Sequence, residues 1–117
     1  MGETWDLAVV GGGAAGLMAG ALAARAGLRT LVLEKQSRVG RKLLATGNGT
    51  CNITNMNAAP DRYHGADPVF IATVLERFPP AEVCAYFASL GLECVVHPGG
   101  RVYPRCEQAA AVLDCLR

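Results

Sequence analysis

The sequence lacks most of the patterns through which a small domain advertises metal, redox or nucleic-acid chemistry. Its five cysteines, Cys51, Cys84, Cys94, Cys106 and Cys115, include no C-x-x-C pair, which leaves neither a zinc site nor a redox disulfide of that type. His64 and His97 are its two histidines. Neither has a ligand-spaced or acid–base partner in the sequence, so no metal ligand and no catalytic histidine is assigned. An excess of one charge is also missing: eleven Lys+Arg against ten Asp+Glu leave +1, and no basic run interleaves with aromatics as a nucleic-acid surface requires. Nucleic acid is set aside as a partner on that ground. An odd number of cysteines without a pairing pattern fits a reducing compartment, and a cytoplasmic location is the expectation. The sequons Asn48-Gly49-Thr50 and Asn52-Ile53-Thr54 are then coincidental, because glycosylation needs the secretory route.

A membrane span is excluded on composition. Leu7 to Ala24 is uncharged over eighteen residues, the lower edge for a spanning helix. Five of those residues are glycine, and each interior glycine costs about 1 kcal/mol against alanine in a helix. Glu3 and Asp6 precede the run where a signal peptide carries basic residues, and Arg25 and Arg29 follow it. The run reads instead as a strand, a glycine turn and a helix.

The chain of 117 residues is long enough for one domain, or part of one, with a real core. Leu7-Ala8-Val9-Val10 is a compact apolar run of the kind found in a strand buried on both faces. Ala14 to Ala26 is rich in Ala and Leu and closes on Gly27, a natural left-handed helix cap. Thr30-Leu31-Val32-Leu33 is a second β-type run. Together they predict a parallel βαβ unit with a right-handed crossover. Gln36 to Pro60 is polar and glycine-rich and reads mostly as loop, with a short helical turn at Arg41 to Leu44. Asp67 caps a predicted helix that runs to about Phe78, with Ile71, Val74, Leu75 and Phe78 on one face. Pro79-Pro80 breaks it, and a second helix follows over Ala81 to Leu90. Glu93 to His97 and Arg101 to Tyr103 flank Pro98-Gly99-Gly100 as a hairpin. The last stretch, Glu107 to Arg117, places Ala109, Val112, Leu113 and Leu116 on a helical face. That pattern is still running when the sequence stops, so the expectation is an incomplete α/β domain, the N-terminal part of a larger protein.

Between the first strand and the first helix stands Gly11-Gly12-Gly13-Ala14-Ala15-Gly16, a G-x-G-x-x-G motif in the context it needs. A side chain at Gly11 would obstruct the tight turn, one at Gly13 would hold a diphosphate off the backbone, and one at Gly16 would push the helix off the strands. The ligand's diphosphate would sit on the helix N-terminus, where free N–H groups and the helix dipole favour an anion. Glu34 lies 23 positions after Gly11 at the end of the second strand, placed to accept hydrogen bonds from adenosine ribose hydroxyls. Its charge disfavours a 2′-phosphate, although Lys35 is adjacent. FAD and NAD present the same ADP to this motif, so a nicotinamide-binding module without flavin is the second reading. The cations, glycines and amides of Val39-Gly40-Arg41-Lys42 and Gly47-Asn48-Gly49-Thr50-Cys51-Asn52 favour an extended cofactor such as FAD; an ordinary polar loop is the plain alternative.

At Val9 to Leu17, Leu33-Glu34-Lys35, Gly40-Arg41-Lys42-Leu43-Leu44, Thr46 to Gly49, Cys51 to Asn55 and Gly100 to Pro104, the chain resembles the bacterial NAD(P)/FAD-dependent oxidoreductases of the BaiN-like or aminoacetone-oxidase-like flavoprotein family. The resemblance implies a Rossmann-type FAD-binding domain with an inserted element, which would begin here at about residue 60. It implies noncovalent FAD, with NAD(P)H as electron donor and a small-molecule substrate. Matched by motif, Gly11, Gly13, Ala15, Gly16, Glu34 and Lys35 would hold the ADP portion, and Arg41, Lys42, Gly49 and Asn52 would line the path toward the flavin. Gly49-Thr50-Cys51 is also similar to the disulfide-containing flavin reductases, but the second cysteine of their redox pair is absent. Cys51 therefore reads as a packed small apolar residue. The chain by itself is expected to be catalytically silent, and the sequence does not fix its substrate or oligomeric state.

Overall fold

The computed structural model describes residues 2–65 and 67–117. It is a Rossmann-type α/β fold in which a parallel βαβ unit is followed by helices and a small antiparallel sheet. Strand β1 (Leu7–Val10) pairs in parallel with β2 (Thr30–Leu33), in the register Leu7 to Thr30 and Val10 to Leu33. Helix α1 (Ala14–Arg25) makes the crossover and buries Leu17 and Gly20. A methyl on Gly20 would meet Cγ2 of Val32 at 3.0 Å, so the helix lies close against the sheet there, and a larger residue would push on Val32. Gly27 takes the left-handed conformation, φ 89, expected just past the helix end.

The strand pair departs from expectation in burial. An apolar run predicts a strand covered on both faces, yet Val10 is 86% exposed and Leu33 49%. The reason is geometric: α1 covers one face of the two-stranded sheet, and no other described element packs on the opposite face.

Most of the core lies in the second half, with Leu17 of α1 joining it. Helix α2 (Arg41–Ala45) leads into a turn over Thr46–Gly49, and β3 (Thr54–Asn55) then enters a three-stranded antiparallel sheet of order β3-β5-β4 with β4 (Cys94–Val96) and β5 (Arg101–Pro104). The hairpin turns at Pro98 to Gly100, with Gly99 and Gly100 at positive φ. Strand β3 is not legible in the sequence, because two residues carry no alternation; its pairing comes from β5, through Thr54 opposite Val102 and Asn55 opposite Arg101. Helix α4 (Pro80–Ser89) supplies Phe87, and α5 (Ala109–Leu116) supplies Ala109, Val112, Leu113 and Leu116, which form one buried cluster with Leu17, Leu43, Cys51 and Leu92, while Val102 of β5 is fully enclosed. Each of the Val, Leu and Phe side chains contributes about 1.5–3 kcal/mol by leaving water.

Helix α3 (Pro68–Arg77) begins as predicted: Oδ1 of Asp67 accepts from the N–H groups of Val69 and Phe70 at 2.9 and 3.2 Å. Its apolar stripe is not buried. Ile71 and Leu75 are half-buried, whereas Val74 and Phe78 are exposed along with Val69 and Phe70, so helical periodicity located the helix but not a partner for it.

Candidate functional site

The glycine motif forms one tightly bonded turn. The N–H of Gly11 donates to the Leu33 carbonyl at 2.7 Å, continuing the strand ladder, and Gly11 has φ 106, a conformation glycine alone adopts readily. A methyl on Gly16 would land on the carbonyl oxygen of Gly11, so helix and turn are in van der Waals contact there. At Gly13 a methyl would meet nothing. The first glycine thus serves the turn, the last serves helix packing, and the middle one faces open space.

Helix α1 starts without a cap. Gly13 is its N-cap residue, no side chain bonds the first turn, and the first turn holds no acidic residue. The N–H groups of Gly13, Ala14, Ala15 and Gly16 have no partner among the described residues; the first bond of the helix is from Leu17 N–H to the Gly13 carbonyl at 2.9 Å. Four unpaired donors thus stand at the positive end of a twelve-residue helix.

Glu34 turns toward this loop. Oε2 accepts from the Gly12 N–H and Oε1 from the Gln36 N–H, both at 2.9 Å. Those bonds, Gln36 first and Gly12 second, hold its carboxyl below the usual carboxylate range against the opposing effect of desolvation, with Lys35 adding to the lowering. A carboxylate has about four acceptor positions, so these two bonds do not saturate it. Lys35, next to it, is exposed.

The remaining predicted residues separate into two groups. Lys42 and Asn52 line a predominantly apolar cavity of about 410 Å³ that opens beside Gly13 and Ala14 and is floored by Met18, Phe87 and Leu116. Arg41 and Gly49 do not line it: the Arg41 guanidinium donates to Oε1 of Gln36 at 3.1 Å, and Gly49 is an exposed turn residue at φ 87. Asn52 has a structural task, since its Nδ2 donates to the carbonyls of Thr54 and Val102 at 2.9 and 3.0 Å and ties the loop to β5. Gly47, Asn48, Gly49 and Cys51 all have positive φ, so this turn is built largely on left-handed backbone.

Cys51 is buried in the cavity wall, and burial pushes its thiol pKa up despite a hydrogen bond with Thr46. It is a packed small residue, as its isolation in the sequence implied. His97 is less isolated than the sequence implied: its ring lies 4.8 Å from that of Tyr103, and Nε2 is 3.9 Å from the Glu107 carboxylate. Among the described residues no three His, Cys, Asp or Glu side chains are placed to hold a metal ion, and no helix is long and apolar enough to cross a membrane.

Sequence reasoning missed three residues around the loop. The Gly40 N–H donates to the Gly12 carbonyl at 2.7 Å, Val39 packs on Gly12, and Leu113 packs on Gly40. Val39 and Gly40 were visible as part of a glycine-and-cation block; nothing local marks Leu113, which meets them from the far end of the chain.

With this geometry in view, comparison with known proteins is decisive for the fold. Residues 5–117 match the HI0933-like protein Rossmann domain. The chain belongs to that family. It is 45% identical to a 3-dehydro-bile acid delta(4,6)-reductase of Clostridium scindens over 112 residues, which are 94% of this chain and 27% of that protein. It is 41% identical to a ribosomal RNA dihydrouridine synthase of Escherichia coli over 76 residues, 65% of this chain and 19% of that protein. A ribosomal RNA dihydrouridine synthase of Haemophilus influenzae is 30% identical over 102 residues, 87% of this chain and 25% of that protein. The chain spans about a quarter or less of the length of these relatives. Family membership gives it the fold of FAD- and NAD(P)-binding oxidoreductases. Two of the three relatives act, by name, on ribosomal RNA, the partner class that composition argued against.

Proposed function

We propose that this chain is the dinucleotide-binding part of an FAD-dependent oxidoreductase, with the FAD diphosphate at the start of α1 and the adenosine ribose on Glu34. The observation that carries this reading is the row of four unpartnered N–H groups from Gly13 to Gly16, beside a glycine whose missing side chain leaves the approach open. Leaving a helix start uncapped costs about 1 kcal/mol, which a bound anion restores. Gly11 and Gly16 keep turn and helix in contact; Gly13, Ala14, Ala15 and Gly16 bind the diphosphate. Glu34, with acceptor positions to spare, takes the ribose, and Lys35 stands beside it.

Lys42 and Asn52, in the cavity wall, are suited to the part of FAD beyond the diphosphate, with Arg41 and Gly49 completing the loop around them. When bound, FAD supplies hydride transfer, which the side chains of this chain do not. The apolar lining, buried Cys51 included, excludes water. Glu34 repels a 2′-phosphate, so NAD(P)H belongs at another site as electron donor. The names of the relatives describe the saturation of carbon–carbon double bonds, in a bile acid or in uridine. A small-molecule substrate of the first kind is favoured here by the higher identity to the bile-acid reductase and by the lack of a basic stripe. We place the intact protein in the cytoplasm and read the chain from about residue 60 as the start of an inserted element.

The test is the visible spectrum of the purified intact protein. A flavin spectrum, or its appearance on adding FAD, is expected. A colourless protein that takes up NAD but not FAD would make this a nicotinamide-binding module.

A further inference from the structure

We propose that Gly40 is a positioning residue that aims the Gly13 N–H into the anion seat, with Leu113 of α5 as its backstop; this rests on the diphosphate reading above. The glycine turn has no side chains to hold it, so its shape depends on what its peptide groups bond to. The Gly12 peptide groups are gripped from two sides. Gly12 N–H donates to Glu34, and Gly12 C=O accepts from Gly40 N–H at 2.7 Å.

The second bond matters for the ligand because the Gly12 carbonyl and the Gly13 N–H belong to one planar peptide unit. No peptide bond among the described residues is cis, and in a trans unit the C=O and N–H point in opposite directions. Whatever fixes the carbonyl therefore fixes the direction of the Gly13 N–H, which is one of the four free donors. A hydrogen bond to the carbonyl also polarises the unit and strengthens the N–H as a donor.

Gly40 can reach Gly12 because it takes the left-handed conformation, φ 69 and ψ 16, at the start of α2. It is buried, and a methyl there would come within 2.9 Å of Cδ2 of Leu113 and closer still to Cδ1. On the other side, a methyl on Gly12 would meet Cγ1 of Val39 at 2.7 Å. The Val39-Gly40 segment is thus a thin spacer between the glycine turn and α5, and the packing of α5 sets where the diphosphate donor points.

The test pairs two substitutions, alone and together, with one measurement on the native intact protein. Dissociation constants for FAD and for ADP are measured by flavin fluorescence and calorimetry in Gly40→Ala, Leu113→Ala and the double variant. Gly40→Ala is expected to weaken both ligands about tenfold or more, the size of one hydrogen bond to a charged group. Adding Leu113→Ala removes the clash but not the strain of alanine at φ 69, so it is expected to recover part of that affinity although the cofactor-free protein melts no higher, a pattern that general destabilisation does not produce. Unchanged affinity in Gly40→Ala, or a loss that the second substitution leaves in place, would overturn the proposal. Should Gly40→Ala not fold, amide exchange decides: the native Gly40 N–H is expected to be protected without cofactor, and exchange at the free-peptide rate would contradict its bond to Gly12. A protein that binds neither FAD nor ADP contradicts the diphosphate reading instead, and the Gly40 exchange rate still reports on the brace.

Discussion

Between Leu7 and Gly40 the structure buries three glycines and one leucine; between Phe87 and Leu116 it buries a cluster of full side chains. The first region is organised by close backbone approach and by hydrogen bonds to peptide groups, the second by hydrophobic packing. The difference shows how this fold divides its work. A site for a phosphate ester needs bare N–H groups and no side chains in the way, and such a region cannot generate its own core. Its stability is borrowed from α5, which reaches it through Leu113 on Gly40 and by packing against α1.

The comparison predicts unequal responses to substitution. The largest is expected at Phe87, 3% exposed and central to the packed half: Phe87→Ala should cost about 3–5 kcal/mol in denaturant unfolding. A cost near that of a surface substitution would mean the core is elsewhere. Gly16→Ala comes next, since its methyl would strike the Gly11 carbonyl; about 1–3 kcal/mol of stability should go, together with most FAD retention. If the variant holds FAD like the native protein, helix and turn do not touch as described.

Smaller effects follow from titration. Glu34 has a lowered pKa from the Gln36 and Gly12 N–H bonds, so its contribution is present above the unfolded carboxylate pKa and is lost as pH falls through the lowered folded value. ADP affinity should therefore be flat through the ordinary carboxylate range and weaken only below it, and Glu34→Gln should remove that dependence. Thiol labelling gives the mildest test. Exposed Cys106 should react with an alkylating agent at neutral pH, while Cys51 and Cys94 lag, because burial raises both and brings Cys94, beside Cys84, to about 11. Equal labelling would mean the packed half opens as readily as the surface.

Much of the first region was legible in the sequence because its rules are local. Gly11, Gly13 and Gly16 have distinct steric tasks at fixed spacing, and strand, helix and strand lie in order around them. The three-residue hairpin turn and the Asp67 cap were readable for the same reason. What could not be read depends on distant contacts. Strand β3 exists because β5 offers it a ladder, the stripe of α3 lacks a cover that periodicity implies, and the exposed face of β1 shows that an apolar run states a preference for burial, not its fulfilment. At the site, the sequence pointed to Glu34 as a ligand group but was silent on its bond to Gly12, and it gave no sign that Leu113 stands behind Gly40.

The most direct test of the account is FAD affinity in Gly13→Ala, measured by flavin fluorescence titration of the intact protein. A methyl at this position meets no protein atom, so the cofactor-free protein should melt as the native one does while FAD binding falls by about tenfold or more. Native affinity in that variant would contradict a diphosphate seated on the start of α1.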